Sequence, residues 1–294
     1  MSDRMLRGTY PQAQMRFAVC QTAALCGEAI RRHQADWLSG WLLSEALTCA
    51  ALSSVALKGT EKFTLRWFYP GPVGTILVDT TERGKVRGFP QRLRLLPEIR
   101  TVAQAIGGDG GRVAATTSFP DRVGNTGVTP AIFCDVARDL AHLFSLSFQM
   151  ETALNVGIAL PPREPIAPVS ALGILLQPLP GADLEAFDAV RREVETASFR
   201  DWLTAGERSL EDVLGRLPLD EAPQTLDEAE PGYACTCSRE KVERVLLLMD
   251  LAELRGIVEE QDGVVVQCHF CAKVYRFSPS QVDALLEQSR IGHA

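Results

Sequence analysis

Between residues 38 and 55, Leu38, Trp41, Leu42, Leu47, Leu52 and Val55 recur largely at helical spacing. Lys58-Gly59 follows as a basic last turn and C-cap, so the pattern predicts one long core helix. Ahead of it, residues 15–21 read as a strand and 22–32 as a short helix. Behind it the period changes to two. Phe63, Leu65, Trp67 and Tyr69 share one face of the segment 61–69, Pro70-Gly71-Pro72 turns the chain, and residues 76–79 and 85–89 continue an antiparallel meander. Residues 112–119 are a further strand. Thr129-Pro130 reads as the N-cap and first position of a helix to about Ser147 that buries Ile132, Val136, Leu140, Leu143 and Phe144. Strands at 154–160 and 172–176 complete an α+β domain over residues 1–180, a mixed α/β core with an antiparallel sheet and one long helix.

Beyond Pro180 the pattern weakens. Residues 183–196 are helical but heavily charged, 199–217 give one or two short amphipathic helices, and 220–230 form an acidic run. Residues 181–231 therefore read as a weakly packed helical linker. Its apolar positions, Leu184, Phe187, Val190, Phe199, Trp202, Leu203, Val213, Leu214 and Leu217, must dock elsewhere to stay folded. Residues 232–294 form a small module with helices at 238–249 and 251–259 and a hairpin at 264–277. Ser278-Pro279-Ser280-Gln281 is a capping box that opens a last helix to about residue 289.

The chemistry lies in that module. Cys235 and Cys237 stand one residue apart and, after a thirty-residue gap, Cys268 and Cys271 stand two apart. Four thiolates brought together tetrahedrally make a closed structural zinc site, a source of folding energy for a module with a small core. A Cys-x-Cys pair is tighter than the usual zinc spacing and can also oxidise, so the same sulfurs can hold a metal or release it. The remaining cysteines, Cys20, Cys26, Cys49 and Cys134, lie in apolar strand or helix contexts and read as buried packing. His33, His142, His269 and His293 are scattered, and His269 inside the second pair reads as a solvated neighbour of a complete ligand set. Residues 106–111, with four glycines, read as a turn, since the Lys-Ser/Thr of a phosphate loop is missing.

Composition narrows the partners. A net charge of −7 and a pI near 5.3 disfavour nucleic acid, which calls for clustered Lys and Arg. The opening MSDRMLRGTY has no apolar signal core, and no membrane span is expected. A cytosolic location follows as the expectation, and there eight cysteines favour metal or redox chemistry over a stapled scaffold.

The segment CTCSREKVERVLLLM, the gap, and CHFCAKVYRF resemble the C-terminal redox switch of the heat-shock protein 33 family of bacterial holdase chaperones. Leu57-Lys58-Gly59, Gly71-Pro72-Val73-Gly74, Val86-Arg87-Gly88-Phe89, Asp139-Leu140-Ala141-His142 and the stretch from Leu176 to Ala182 extend the likeness over nearly the whole chain. Phe148, Glu151 and the stretch Asn125-Thr126-Gly127-Val128 depart from the family pattern without touching the cysteines. The resemblance implies a chaperone without catalytic residues or ATP use, a metastable linker folded over the N-terminal domain, and one zinc per chain on Cys235, Cys237, Cys268 and Cys271 in the reduced state. It also implies disulfides pairing Cys235 with Cys237 and Cys268 with Cys271 on oxidation, unfolding proteins as clients, and a homodimer in the oxidised state. Two other classes stay open at the level of the residues: a thiol oxidoreductase using Cys268 and Cys271, and a zinc-dependent partner-binding module.

Overall fold

The computed structural model describes residues 2–81 and 83–291, with strand and helix side chains to Glu287. His293 lies outside the described residues. The chain divides into two units, Met1–Ala234 and Cys235–Ala294.

The first unit holds strands β1 (Arg4–Tyr10), β2 (Met15–Gln21), β3 (Lys62–Phe68), β4 (Thr75–Thr81), β5 (Lys85–Pro90), β6 (Arg112–Ser118), β7 (Val123–Pro130), β8 (Ala153–Ala159), β9 (Ser170–Pro178), β10 (Gln224–Ala229) and β11 (Gly232–Tyr233). Its helices are α1 (Ala23–His33), α2 (Trp37–Ser53), α3 (Val102–Ile106), α4 (Val136–Ser147), α5 (Leu184–Val194), α6 (Ala197–Thr204) and α7 (Leu210–Gly215). One sheet has the order β10-β1-β2-β9-β8, the other β11-β5-β4-β3-β6-β7. Within them only the β11–β5 pair is parallel among the described residues.

Helix α2 packs against both sheets and is buried on nearly every side. With the 3-10 turn after it, it is long and apolar enough to cross a membrane, yet 89% of that stretch is buried inside the protein. Its start is capped by Asp36, which accepts from Ser39 N at 2.8 Å. Strand β9 explains its own uninterrupted apolar run, Ala171 to Leu176, because its sheet is covered on both faces. On one face Cys20, Leu154, Val156 and Leu175 join the core of α2 and α4. On the other, Leu6, Tyr10, Met15, Phe17, Val19, Leu172, Ile174 and Leu176 meet Phe187, Val190, Val194, Phe199, Leu203, Leu210, Val213 and Leu214 of α5–α7.

The stretch 181–217 is thus closely packed, where the charge-rich sequence predicts a weakly packed linker. Leu184 alone of its nine named apolar positions is strongly exposed, at 61%, and Trp202 is partly buried. Polar ties add to the apolar contact. Tyr10 Oη donates to Leu214 O at 3.0 Å, Gln21 Nε2 to Arg208 O at 3.0 Å, and Asn155 Nδ2 to the carbonyls of Val194 and Thr196. Gly157 on β8 lets α6 approach closely, since a Cβ there would lie 2.7 Å from Leu203 Cβ.

Other expectations need correction. Thr129-Pro130 ends β7 instead of opening a helix; α4 starts at Val136 behind the N-cap Asp135, and Ile132 is 56% exposed. Asp135 N-caps with a side chain that accepts from Arg138 N, which competes successfully with the weaker Thr-Pro signal. Lys58-Gly59 lies past the helix, which ends at Ser53. Cys134 is neither in a helix nor fully buried, and sits in a loop at φ 50°. Strands β1, β7, β10 and β11 and helix α3 are not among the predicted elements, although Thr101 and Gln104 form a capping box that opens α3. Cys20, Cys26 and Cys49 are buried, and burial pushes their thiols up, so they pack rather than react.

Arg200 of α6 carries a charged contact into this interface. It pairs with Asp135 at 2.7 Å and with the buried Glu45 of α2 at 3.7 Å, while its Nε donates to Asn155 Oδ1 at 3.1 Å. Burial pushes the Glu45 carboxyl well above its ordinary range, so it can neutralise when Arg200 is removed, whereas Asp135 and Asn155 lose their donor. Arg200→Leu is expected to lower unfolding stability in urea by about 1–3 kcal/mol, and the Glu45→Leu/Arg200→Leu double variant to lose less than the sum of the two single variants. Additive losses in the double variant would show that the two side chains are not coupled.

Candidate metal centre

The second unit, Cys235–Ala294, contains α8 (Arg239–Leu246), α9 (Leu251–Gln261), the two-stranded sheet of β12 (Val264–Gln267) and β13 (Val274–Phe277), and α10 (Pro279–Ile291). Its buried apolar core reduces to Leu246, Leu254, Val264, Tyr275, Phe277 and Val282. So small a core is marginal without a further tie.

The cysteines provide one. Cys235 and Cys237 lie on the extended entry to α8, whose N-cap Ser238 accepts from Lys241 N. Cys268 and Cys271 lie in the turn between β12 and β13. There Cys268 N donates to Lys273 O at 2.9 Å, Ala272 N to Cys268 O at 2.8 Å, and Ala272 adopts φ 57°. These backbone ties curl the turn so that both sulfurs face the α8 entry. All four sulfurs lie within 4.8 Å of one another, with Cys235–Cys268 at 3.8 Å and Cys237–Cys271 at 3.3 Å. Tetrahedral zinc at about 2.3 Å from each thiolate sets sulfurs about 3.8 Å apart, so the donor set fits in both chemistry and size. His269 is exposed and is not among the clustered donors.

The basic side chains that the sequence places nearby act mainly on the scaffold. Arg239 stacks on Phe277 at 4.1 Å, donates to Arg276 O at 3.1 Å and pairs with Glu243 at 3.2 Å. Lys241 Nζ donates to Thr236 O at 2.6 Å, holding the residue between Cys235 and Cys237. Lys273 lies 5.1 Å from the Tyr275 ring centre.

Tyr275 is the functional residue that sequence reasoning missed. Its hydroxyl donates to Cys237 Sγ at 3.1 Å. Burial opposes ionisation of Cys237, but this donation and the neighbouring thiols outweigh it and bring its pKa down to about 7. Cys271 moves oppositely, pushed up to about 12 by burial and by sharing protons with the other thiols. The Tyr275 donation thus favours the thiolate of Cys237, while burial disfavours that of Cys271. The single cue for Tyr275 was its period-two position in β13, on the side of the buried Phe277.

The Hsp33 protein family model matches residues 3–278. The chain belongs to the Hsp33 family. Relatives named 33 kDa chaperonin include one from Halalkalibacterium halodurans, 26% identical over 98% of this chain and 100% of the relative, and one from Bacillus cytotoxicus, 28% identical over 98% and 99%. The crystal structure of the 33 kDa chaperonin, an Hsp33 homologue, from Thermotoga maritima superposes with a TM-score of 0.86, covering 99% of each chain at 24% identity. This likeness shows that the fold is the family's.

A thiol with a depressed folded pKa favours the ionised, folded state above its unfolded pKa and loses that advantage as pH falls through about 7. Tyr275→Phe removes the donation, so Cys237 protonates at higher pH. The expected outcome is a metal-release midpoint shifted to higher pH and zinc affinity weakened by about tenfold or more, read by competition with a chromophoric chelator. An unchanged midpoint would mean that the hydroxyl does not act on the ligand set.

Proposed function

We propose that the chain is a redox-regulated, ATP-independent holdase chaperone, held inactive while its four thiolates bind one zinc ion and activated when they oxidise. The observation that carries this is the pairing of a four-thiol cage in a module of small core with a helical cover over one apolar sheet face. Functionally the chain divides into a core at 1–180, a switchable cover at 181–231 and the zinc module at 232–294.

Zinc, when bound by Cys235, Cys237, Cys268 and Cys271, supplies about 10 kcal/mol or more of folding energy to the module. The ionised sulfurs are the nucleophiles, with Cys237 held ionised by Tyr275. A thiolate sulfur attacks a peroxide oxygen, the O–O bond breaks with loss of one hydroxide, and a second thiolate then attacks the resulting sulfenic sulfur, forming the S–S bond as the S–O bond breaks and a second hydroxide leaves. Each disulfide thus consumes one peroxide and releases two hydroxide ions, and the four thiolates consume two peroxides. Pairing Cys235 with Cys237 and Cys268 with Cys271 leaves the two halves of the module unlinked, whereas pairing across the cage would staple them together. Without donors for the metal the module loses its main support and unfolds.

In this reading residues 181–231 come away with it, and α5–α7, of 11, 8 and 6 residues, are too short to persist as helices once undocked. Leaving, they uncover Leu6, Phe17, Val19, Ile174 and Leu176 on one side and their own apolar stripe on the other, both suited to unfolding client proteins. The same surfaces would pair two oxidised chains into a dimer. A reducing compartment such as the cytosol keeps the resting state loaded. No turnover is involved, which distinguishes this reading from a thiol oxidoreductase.

Zinc release and suppression of aggregation of an unfolding protein, followed together through a peroxide titration, test the proposal. One zinc per chain should leave as two intramodular disulfides form, and client protection should rise with it. Zinc retained after all four sulfurs are oxidised, or protection by the reduced protein equal to that of the oxidised, would refute it.

A further inference from the structure

Strand β10 is an unusual edge. Gln224 to Glu228 are all exposed, Leu226 among them at 65%, and only Ala229 is half-buried. It therefore adds almost no apolar burial to the sheet. What holds it is the antiparallel ladder to β1, from Met5↔Ala229 to Thr9↔Gln224, and two ion pairs, Arg4 with Glu228 at 2.6 Å and Arg7 with Asp227. Such pairs are weak at an exposed edge. Strand β1 differs in every respect. Met5, Leu6 and Tyr10 are buried, and the strand pairs with β2 along its whole length. If β10 leaves, a rigid edge with open backbone donors and acceptors stays behind, flanked by two guanidinium groups. Gly8 keeps that edge approachable, since a Cβ there would lie 2.1 Å from Gln224 O.

We propose that the outer edge of β1 is a docking edge for an extended acidic segment of an unfolding client, and that β10 is its built-in stand-in. The inference rests on the release of residues 181–231 argued above. Backbone pairing supplies affinity without regard to client sequence, and Arg4 and Arg7 select carboxylates at the places that Asp227 and Glu228 hold. An unfolding chain offers the required extended backbone, whereas a folded protein keeps its own strands paired.

A fluorescent peptide with the sequence of residues 222–231 is the probe, read by anisotropy on the full-length chain. The oxidised chain should bind it at least tenfold more tightly than the reduced chain. Thr225→Pro/Leu226→Pro, which cannot keep the β10 ladder, should bind it while still reduced and zinc-loaded. A peptide with Lys in place of Asp227 and Glu228 should bind at least fivefold more weakly, with binding restored on an Arg4→Glu/Arg7→Glu chain. Failure of the proline variant to bind, or indifference to charge reversal, overturns the docking edge. Binding by the proline variant but not by the oxidised chain upholds the edge and overturns its coupling to oxidation. An oxidised chain that binds the peptide yet holds no client upholds the edge and overturns the chaperone reading.

Discussion

The first unit depends on one contact: the apolar face of the β10-β1-β2-β9-β8 sheet against α5–α7. The opposite face of the same sheet packs against α2, a helix buried on nearly every side. The cover is built from short, charge-rich helices whose apolar residues pack on that sheet and on one another. One face thus packs on a long buried helix and the other on three short ones. The polar ties at Tyr10, Asn155 and Arg200 sharpen the docking, since each leaves a buried group unpaired if the cover shifts.

The second unit depends on four sulfurs instead of apolar area. Two of them precede a helix and two lie in a hairpin turn, so the cage ties the start of the module to its hairpin in place of a sizeable core. A core loses stability by small increments, while a cage loses it when its donors pair among themselves.

Much of this was legible in the residues because it follows from spacing. The paired cysteines, the period-two face of Phe63, Leu65 and Trp67, and the long apolar helix each repeat a simple rule, and the structure brings the four sulfurs together. Strands β7 and β10 were hidden, being polar edge strands with little to bury. The acidic run concealed a second role: Asp227 and Glu228 face Arg7 and Arg4, more than two hundred positions earlier. Likewise Glu221 accepts from Gln12 N and Ala13 N at the β1–β2 turn, a long-range tie that no local pattern encodes. Tyr275 escaped notice because its partner Cys237 is distant in sequence and the contact becomes visible only in the fold.

Amide hydrogen exchange, compared between the reduced zinc-loaded and the oxidised zinc-free protein, reads the stability of the cover residue by residue. Protection is expected to collapse in residues 181–231 as well as in the zinc module, while α2, β2 and β9 keep theirs. Loss confined to residues 235–294, with α5–α7 and β10 as protected as before, would contradict the proposed switch.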